Sequence, residues 1–552
     1  MRDLRILIFH GYLLQGTGSN VYNAELAAAL VRAGHEVHLL SQDRAPRELD
    51  WVDATGDWDG GTLRVDVHRE PVRGVVYRPD LGGLLPVYVA DRYEGLVAKP
   101  FQDLTEAELD GYLSRNVAAV REVAERVAPA IALANHLVMG PVILARALAG
   151  LDVPYVVKVH GSALEYTVKP YPRFKPYAVE GLAGARAVLV GSRHTAESLW
   201  AEMDDPALPD RTRLGPPGVD VANFVPRLPA AAAAGLAALR DRLAAAEPHA
   251  SQRDGAGSDT SPHTHHPPAS GNVAAIDPGE PPHADEPAPH PASSFDRNPG
   301  EAALALAQID PAGERLVVFV GKLIGSKGVE LLLAAWPLVL AAHPDARLLV
   351  VGFGGFRDGL QQLEARLAAG DLEGARQTRS ETGAALPHLE AFLAALPGDD
   401  ADRYRAAAAG LPDRVSWSGR LDHEELTDVL PAAESMVVPS TFPEAFGMVA
   451  AEAAACGTFP VVARHSGLAE VARTLATEVP EPARPWLSFE VGPGAVRELA
   501  AAVVAWLDAG AELREPTREA LVHVAREHYS WDGVARRLIM AAEGRLEEIP
   551  RP

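Results

Sequence analysis

Short apolar runs alternate with stretches of helical periodicity twice along this chain, and a segment nearly free of large apolar side chains separates the two series. The first series opens with "LRILIF", passes through a glycine loop into "NVYNAELAAALVRAG" and returns as "HEVHLLS". Strand, helix and strand in that order make a βαβ unit, and the later runs "YVVKVH" and "AVLVGS" extend it into a parallel sheet covered by helices. After Glu301 the pattern restarts with "RLVVFVGKL", "GVELLLAAWPLVLAAH", "ARLLVVGFG", "SMVVPS" and "FPVVA". At 552 residues and 47% hydrophobic content, the chain can fill two such cores. The predicted fold class is α/β, with two Rossmann-like, doubly wound parallel-sheet domains facing a cleft.

From about Pro248 to Gly300 the composition cannot offset the entropy of ordering by burial, which predicts a solvated Pro/His-rich insertion. Its histidines, among them His263, His265 and His266, could in principle bind metal. A second interruption, near Gly370 to Gly410, keeps enough helical periodicity to be a folded excursion. The expected organisation is a first Rossmann-like domain over 1–228, a linker with the insertion over 229–305, a second Rossmann-like domain over 306–530 and a C-terminal helix over 531–552.

The formal charge of -23, from 74 acidic against 51 basic residues, favours solubility and opposes a sequence-independent grip on nucleic acid or anionic lipid. Local basic pockets and peripheral membrane contact remain compatible with it. The single cysteine, Cys456, forms no internal disulfide. The N-terminal apolar run is about five residues long, and nothing approaches the roughly eighteen of a membrane span. A cytoplasmic protein without signal peptide or transmembrane segment is expected.

Open α/β sheets bind ligands beyond the carboxyl ends of their strands, so candidate residues belong just after strands. "GYLLQGTG", "HGSALEY", "GKLIGSKG", "GFGG" and "STFPEAFGM" all follow apolar runs. Gly16 and Gly18 allow close backbone approach to a phosphate or sugar, or simply a strand-to-helix turn. Val21 stands where a dinucleotide fingerprint needs glycine, and no P-loop motif is present at a strand end. Lys322 and Lys327 share one short loop, where two ammonium groups repel unless they share an anion or reach solvent; a diphosphate suits the first case. His160 ends a strand and can hydrogen-bond a sugar hydroxyl or a developing charge. His136 and His10 hold similar strand-end positions.

Glu444 and Glu452 flank the start of a helix expected to begin near Gly447. Eight helical steps correspond to about 12 Å, comparable to the reach from sugar to ribose in an extended nucleotide sugar. Between them the amides of Phe446, Gly447 and Met448 lie at the positive end of the helix dipole, where a diphosphate is favoured. Glu444 could also be an ordinary acidic N-terminal residue. Glu452, among small apolar neighbours, needs hydrogen-bond donors if buried, and vicinal ribose hydroxyls would supply them.

Here the chain resembles the retaining family-4 glycosyltransferases of the GT-B fold, whose signature is a glutamate, seven residues and a second glutamate within a stretch like "PSTFPEAFGMVAAEAAACG". "GHEVHLLS", "HGSALEY", "VGSRHTAESL", "PPGVDVANF", "FVGKLIGSKG", "VSWSGRLDHEEL" and "SWDGVARRL" also match. The resemblance implies that Glu444 contacts the donor sugar, Glu452 the ribose, Lys322 and Lys327 the diphosphate, and His160 the region of the transferred sugar. It places Gly16 and Gly18 facing the reaction centre and Arg420 with Leu421 beside the base. Lys322 stands where most relatives carry arginine, and Ala445 where many carry glycine. The implied reaction is transfer of a sugar from a nucleotide-diphosphate sugar to an acceptor hydroxyl, with retention and with neither metal nor cofactor required. The acceptor is a small molecule, a glycan or a lipid-linked species, read by the N-terminal half; its aromatics could stack on a sugar or pack internally, and Arg193 could meet a phosphate. A catalytically silent nucleotide-sugar-binding module and a GT-B-type epimerase are the competing functions.

Overall fold

The computed structural model describes residues 3–15, 18–88, 96–251 and 297–552. Arg5–Phe9 is a strand with Ile6 to Phe9 buried, and Tyr155–Val159 is buried along its whole length. Branched side chains filling both faces of a strand require cover on both sides, which is the condition of a parallel sheet wrapped by helices. In the first domain nine strands pair in the spatial order Thr212–Leu214, Ala187–Val190, Tyr155–Val159, Ile131–Asn135, Arg5–Phe9, Glu36–Leu40, Gly74–Arg78, Ala54–Asp59, Thr62–Val67. Every pairing is parallel except the last, an antiparallel hairpin at the sheet edge turned by Gly60 and Gly61, both at positive φ. In the second domain six parallel strands run Val415–Gly419, Ala346–Val351, Arg315–Val320, Ser435–Val438, Phe459–Ala463, Ser488–Phe489. Both domains are thus the doubly wound sheets the apolar runs predict.

The winding direction switches between Arg5–Phe9 and Ile131–Asn135 in the first sheet and between Arg315–Val320 and Ser435–Val438 in the second. Such switch points open a crevice beyond the strand ends. The loops entering those crevices begin at His10, His136, Gly321 and Pro439.

The expected linker over 229–305 is not a linker at either end. Pro229–Ser251 and Pro299–Ala307 are helices, and Leu236, Leu239, Leu243, Ala302 and Leu306 share the core of the second domain. The second helix starts where Asn298 caps the amide of Glu301 at 3.0 Å, with Pro299 in its first turn. The remainder of the predicted insertion, residues 252–296 with His263, His265 and His266, lies outside the described residues. The excursion near 370–410 is folded into the helices Leu372–Arg376, Pro387–Ala394 and Gly398–Ala408, which bury Leu389, Phe392 and Tyr404 in the same core.

The chain ends on the first domain. In Trp531–Glu543, Trp531, Val534 and Leu538 bury against Ile6, Ile8 and Tyr22. Among the described residues no helix is long and apolar enough to cross a membrane.

Candidate active site

The loop after Ser435–Val438 carries Glu444 into the interdomain cleft and ends at Gly447, the N-cap of the helix Met448–Ala455. Its conformation is held from behind: the Glu444 amide donates to Ser466 Oγ at 2.8 Å, and the Gly467 amide donates to the Glu444 carbonyl at 2.9 Å. Gly467 is required there, since a Cβ would stand 2.6 Å from the Ala445 carbonyl oxygen. The Glu444 carboxylate accepts from Lys327 Nζ at 2.5 Å and from Ser440 Oγ at 2.6 Å. Gly447 provides no side-chain cap for the first turn of the helix, and Phe446, Gly447 and Met448 all line the cleft. The Phe446 ring packs edge-on against Tyr529, 5.3 Å between centroids.

Glu452 lies inside that helix, 2% exposed, and also reaches the cleft wall. The sequence predicts a carboxylate waiting for ligand hydroxyls; in the structure Oε1 already accepts from His423 Nε2 at 2.9 Å. Burial opposes a charge on His423, yet the carboxylates facing it, Glu452 first and then Glu25 and Asp220, prevail and hold its pKa above the ordinary value. The pair is not internal: the His423 side chain is 29% exposed and lines the cleft beside Arg420 and Leu421. His423 carries no assigned role in the sequence reading, although it lies in the quoted stretch "GRLDHEEL". Arg420 donates to Asp422 at 2.9 Å, and Leu421 is buried.

Lys322 and Lys327 follow Arg315–Val320 and line the same cleft. Lys327 closes the 3-10 turn Gly325–Lys327; Lys322 places its ammonium 5.8 Å from the centroid of the Phe353 ring. The turn is tethered by the folded excursion, since the Gly325 amide donates to Glu381 at 2.8 Å.

Across the cleft, His160 is anchored through a line of buried amides. Its Nε2 meets Asn135 Oδ1 at 2.8 Å; Asn135 Nδ2 donates to Asn23 Oδ1 at 2.7 Å; Asn23 Nδ2 meets His10 Nδ1 at 3.0 Å. Burial, then His136, Lys158 and His10, push the His160 pKa well below its ordinary value, so the ring is neutral. His10 is neutral for the same reason of burial, its pKa lowered to about 4. Gly18 begins the helix Gly18–Arg32 and faces Met448 of the second domain, while Gly16 lies outside the described residues. Arg193 is largely exposed and spends its guanidinium on Glu197 at 2.7 Å, so the structure does not bring it into the site. The cleft encloses about 590 Å³. Among the described residues, the one group of three potential metal ligands, Glu478, His523 and Glu527, is exposed and outside the cleft lining.

The fold is that of sucrose-phosphate synthase from Thermosynechococcus elongatus, with a TM-score of 0.54 at 18% identity over 99% of this chain and 100% of that one. Residues 16–223 match the model of Glycosyltransferase Family 4, and residues 396–515 match that of Glycosyl transferases group 1. The chain belongs to the family-4 type of GT-B glycosyltransferases. Curated relatives of this family-4 chain include a D-inositol 3-phosphate glycosyltransferase of Segniliparus rotundus, 31% identical over 45% of this chain and 44% of the relative. A glycogen synthase of Mycobacterium tuberculosis is 28% identical over 44% of this chain and 45% of the relative. This chain therefore spans less than half the length of those relatives. A solved Anabaena HepE complex with UDP-glucose shares the GT-B fold at a TM-score of 0.53 and 15% identity, covering 98% of this chain and 100% of that one. The family-4 chain accommodates Ala445 through Gly161, at φ +94°, whose absent Cβ would stand 3.0 Å from the Ala445 methyl.

Proposed function

We propose that this chain is a retaining glycosyltransferase, moving a sugar from a nucleotide-diphosphate sugar to an acceptor hydroxyl without a required metal. One arrangement carries the reading: an uncapped helix N-terminus at a sheet switch point has a lysine-paired carboxylate, Glu444, before it and a histidine-paired carboxylate, Glu452, within it. A diphosphate before the first turn of Met448–Ala455 meets unsatisfied amides and the ammonium groups of Lys322 and Lys327. Glu444 then faces the sugar, and Glu452 with His423 faces the ribose. Arg420 and Leu421 border the base.

The chemistry follows from where charge grows. As the bond from the anomeric carbon to the diphosphate oxygen breaks, negative charge builds on the leaving phosphate, and the two lysines and the helix amides stabilise it. The acceptor oxygen bonds to the anomeric carbon on the same face, and the leaving phosphate oxygen takes the acceptor proton. Atoms and charges balance without a separate general base. His160, neutral and with Nε2–H committed to Asn135, offers Nδ1 as an acceptor for a sugar hydroxyl. It does not stabilise the growing anion, which requires a donor.

Thermal shift across UDP-, GDP- and ADP-sugars tests the donor reading, since a hundredfold excess over the dissociation constant stabilises by about 2.7 kcal/mol. A Glu444→Gln variant as active as wild type on the best donor removes Glu444 from the mechanism. Transfer abolished by EDTA and restored by magnesium overturns metal independence. Product formed from donor alone, with no acceptor present, favours the epimerase.

A further inference from the structure

His10 and His136 leave adjacent parallel strands at the switch point of the first sheet, and with Tyr12, Tyr88 and His160 they form an aromatic box of which all but His10 line the cleft. The rings around His136 stand at 5.8 Å for His10, 5.5 Å for Tyr12, 4.8 Å for Tyr88 and 5.0 Å for His160. Apart from His160 Nδ1, the polar atoms of this box are committed, with one exception. His10 Nε2 meets Leu13 O and Asn20 Oδ1 at 3.0 Å each, and its Nδ1 meets Asn23. Tyr12 donates to the Pro86 carbonyl at 3.0 Å, Tyr88 donates to the Val138 carbonyl, and His160 is held by Asn135. His136 is the exception: 3% exposed, with neither ring nitrogen bonded to any described residue.

A buried donor and acceptor left unmet on one ring is costly, and natural cores rarely tolerate it without a ligand, water or functional role to account for it. His136 also sits at φ +68°, a left-handed conformation unfavourable for a side chain of this size. Unmet polarity and backbone strain thus fall on one residue that lines the cleft. Deep burial keeps the ring neutral, so it presents one N–H and one lone pair rather than a positive charge. Either nitrogen suits a hydroxyl group, which can accept from the N–H or donate to the lone pair, and the Tyr12 and Tyr88 rings provide apolar faces for the C–H side of a saturated ring. A phosphate finds no cation among these five side chains.

We infer that the box around His136 is the acceptor-recognition pocket and that it takes an uncharged polyol or sugar ring, reading one hydroxyl through a ring nitrogen of His136. The inference rests on the donor reading above and adds the chemical class of the acceptor, a neutral ring rather than a phosphate ester.

The test is titration calorimetry on the full chain, presaturated with whichever of UDP, GDP or ADP gives the largest thermal shift. The probes are glucose and myo-inositol, each against its phosphate ester. Wild type is expected to bind at least one neutral probe, and more tightly than the corresponding ester. His136→Phe is expected to weaken that binding about tenfold or more while leaving nucleotide affinity unchanged, because a site built around a hydroxyl loses its bond to the ring nitrogen. His136→Asn, which accepts the same backbone conformation and keeps a donor and an acceptor, is expected to stay within a few fold of wild type. Three results overturn the inference: no neutral probe binds the nucleotide complex, the phosphate esters bind more tightly than their parents, or His136→Phe binds the neutral probe as wild type does. Failure of all three nucleotides to bind instead strikes the donor reading, and this inference falls with it.

Discussion

Asn135 sets its Oδ1 2.8 Å from Nε2 of His160, and a backbone carbonyl fixes which way that bond runs. Asn135 Nδ2 donates to Phe9 O at 3.2 Å, so the amide cannot be turned over without placing oxygen against oxygen. Oδ1 therefore faces the histidine, and Nε2 must carry the proton. The same logic holds one step back, where Asn23 Nδ2 donates to Ser19 O at 2.8 Å and presents Oδ1 to Asn135. His160 is thus held in one tautomer with Nδ1 as a lone-pair acceptor.

Replacing Asn135 by alanine removes that constraint while leaving the cleft-facing side of His160 in place. The expected result is a fall in kcat of about 10- to 100-fold, from a ring free to rotate and to take the other tautomer. The KM for donor should change little, because no donor group is expected to touch Asn135. Steady-state kinetics on the best donor check this. Unchanged kcat with raised KM would mean that the residue serves binding instead.

Lys327 carries two duties, as the partner of Glu444 and as a cation before the helix terminus. Lys327→Met keeps the aliphatic stem and deletes both. A loss of about 10²–10³ in kcat is expected, the usual cost of removing one group aimed at developing charge. Single-turnover measurements with saturating donor separate this from weaker binding. A loss confined to donor affinity would show that Lys327 binds the ground state and transition state equally.

Much of this arrangement is legible in the sequence because it is local. Strand-end loops follow apolar runs, and two glutamates around a run of small residues announce a helix terminus and its flanks. What escapes is long-range. The Asn23, Asn135 and His160 line joins residues more than a hundred positions apart, and neither asparagine stands out beside its strand or helix. His423 was visible as a residue but not as the partner of Glu452, because only the folded sheet brings the loop after Val415–Gly419 beside Met448–Ala455. The helix Pro229–Ser251 was hidden by its alanines, which are strong helix formers but give little hydrophobic contrast between faces. The edge hairpin did carry a signal in "DGGT", with two glycines free to take positive φ.

A carboxylate of the second domain also reaches the first. Glu470, on the helix Ser466–Leu475, accepts from the amides of Arg193 and His194 at 2.8 Å and 3.0 Å, capping the helix Arg193–Met203 of the first domain. Such a cap contributes on the order of 0.5–2 kcal/mol and here acts only while the cleft is closed. Glu470→Ala should favour the open form, seen as a larger radius of gyration in solution scattering without ligand and a return toward the wild-type value with saturating donor. Scattering indistinguishable from wild type in both states would show that the cap does not govern closure.

Glu330 supplies a test that does not depend on the reaction. It is 2% exposed, Oε2 has no partner among the described residues, and burial pushes its pKa up to about 8, with the Glu381 carboxylate adding to the rise and a bond to its own backbone amide opposing it. In the unfolded chain the same group ionises near its ordinary value of about 4.3. Between those values the folded state holds a proton that the unfolded state has released, so stability falls as pH rises through this window and levels off above it. Glu330→Gln, neutral at every pH, should therefore gain over wild type with rising pH, by about 1–3 kcal/mol at pH 7 and little near pH 4. Chemical denaturation at pH 5, 7 and 9 measures the difference directly. A difference independent of pH would mean that Glu330 is ionised in the folded chain and has a partner there.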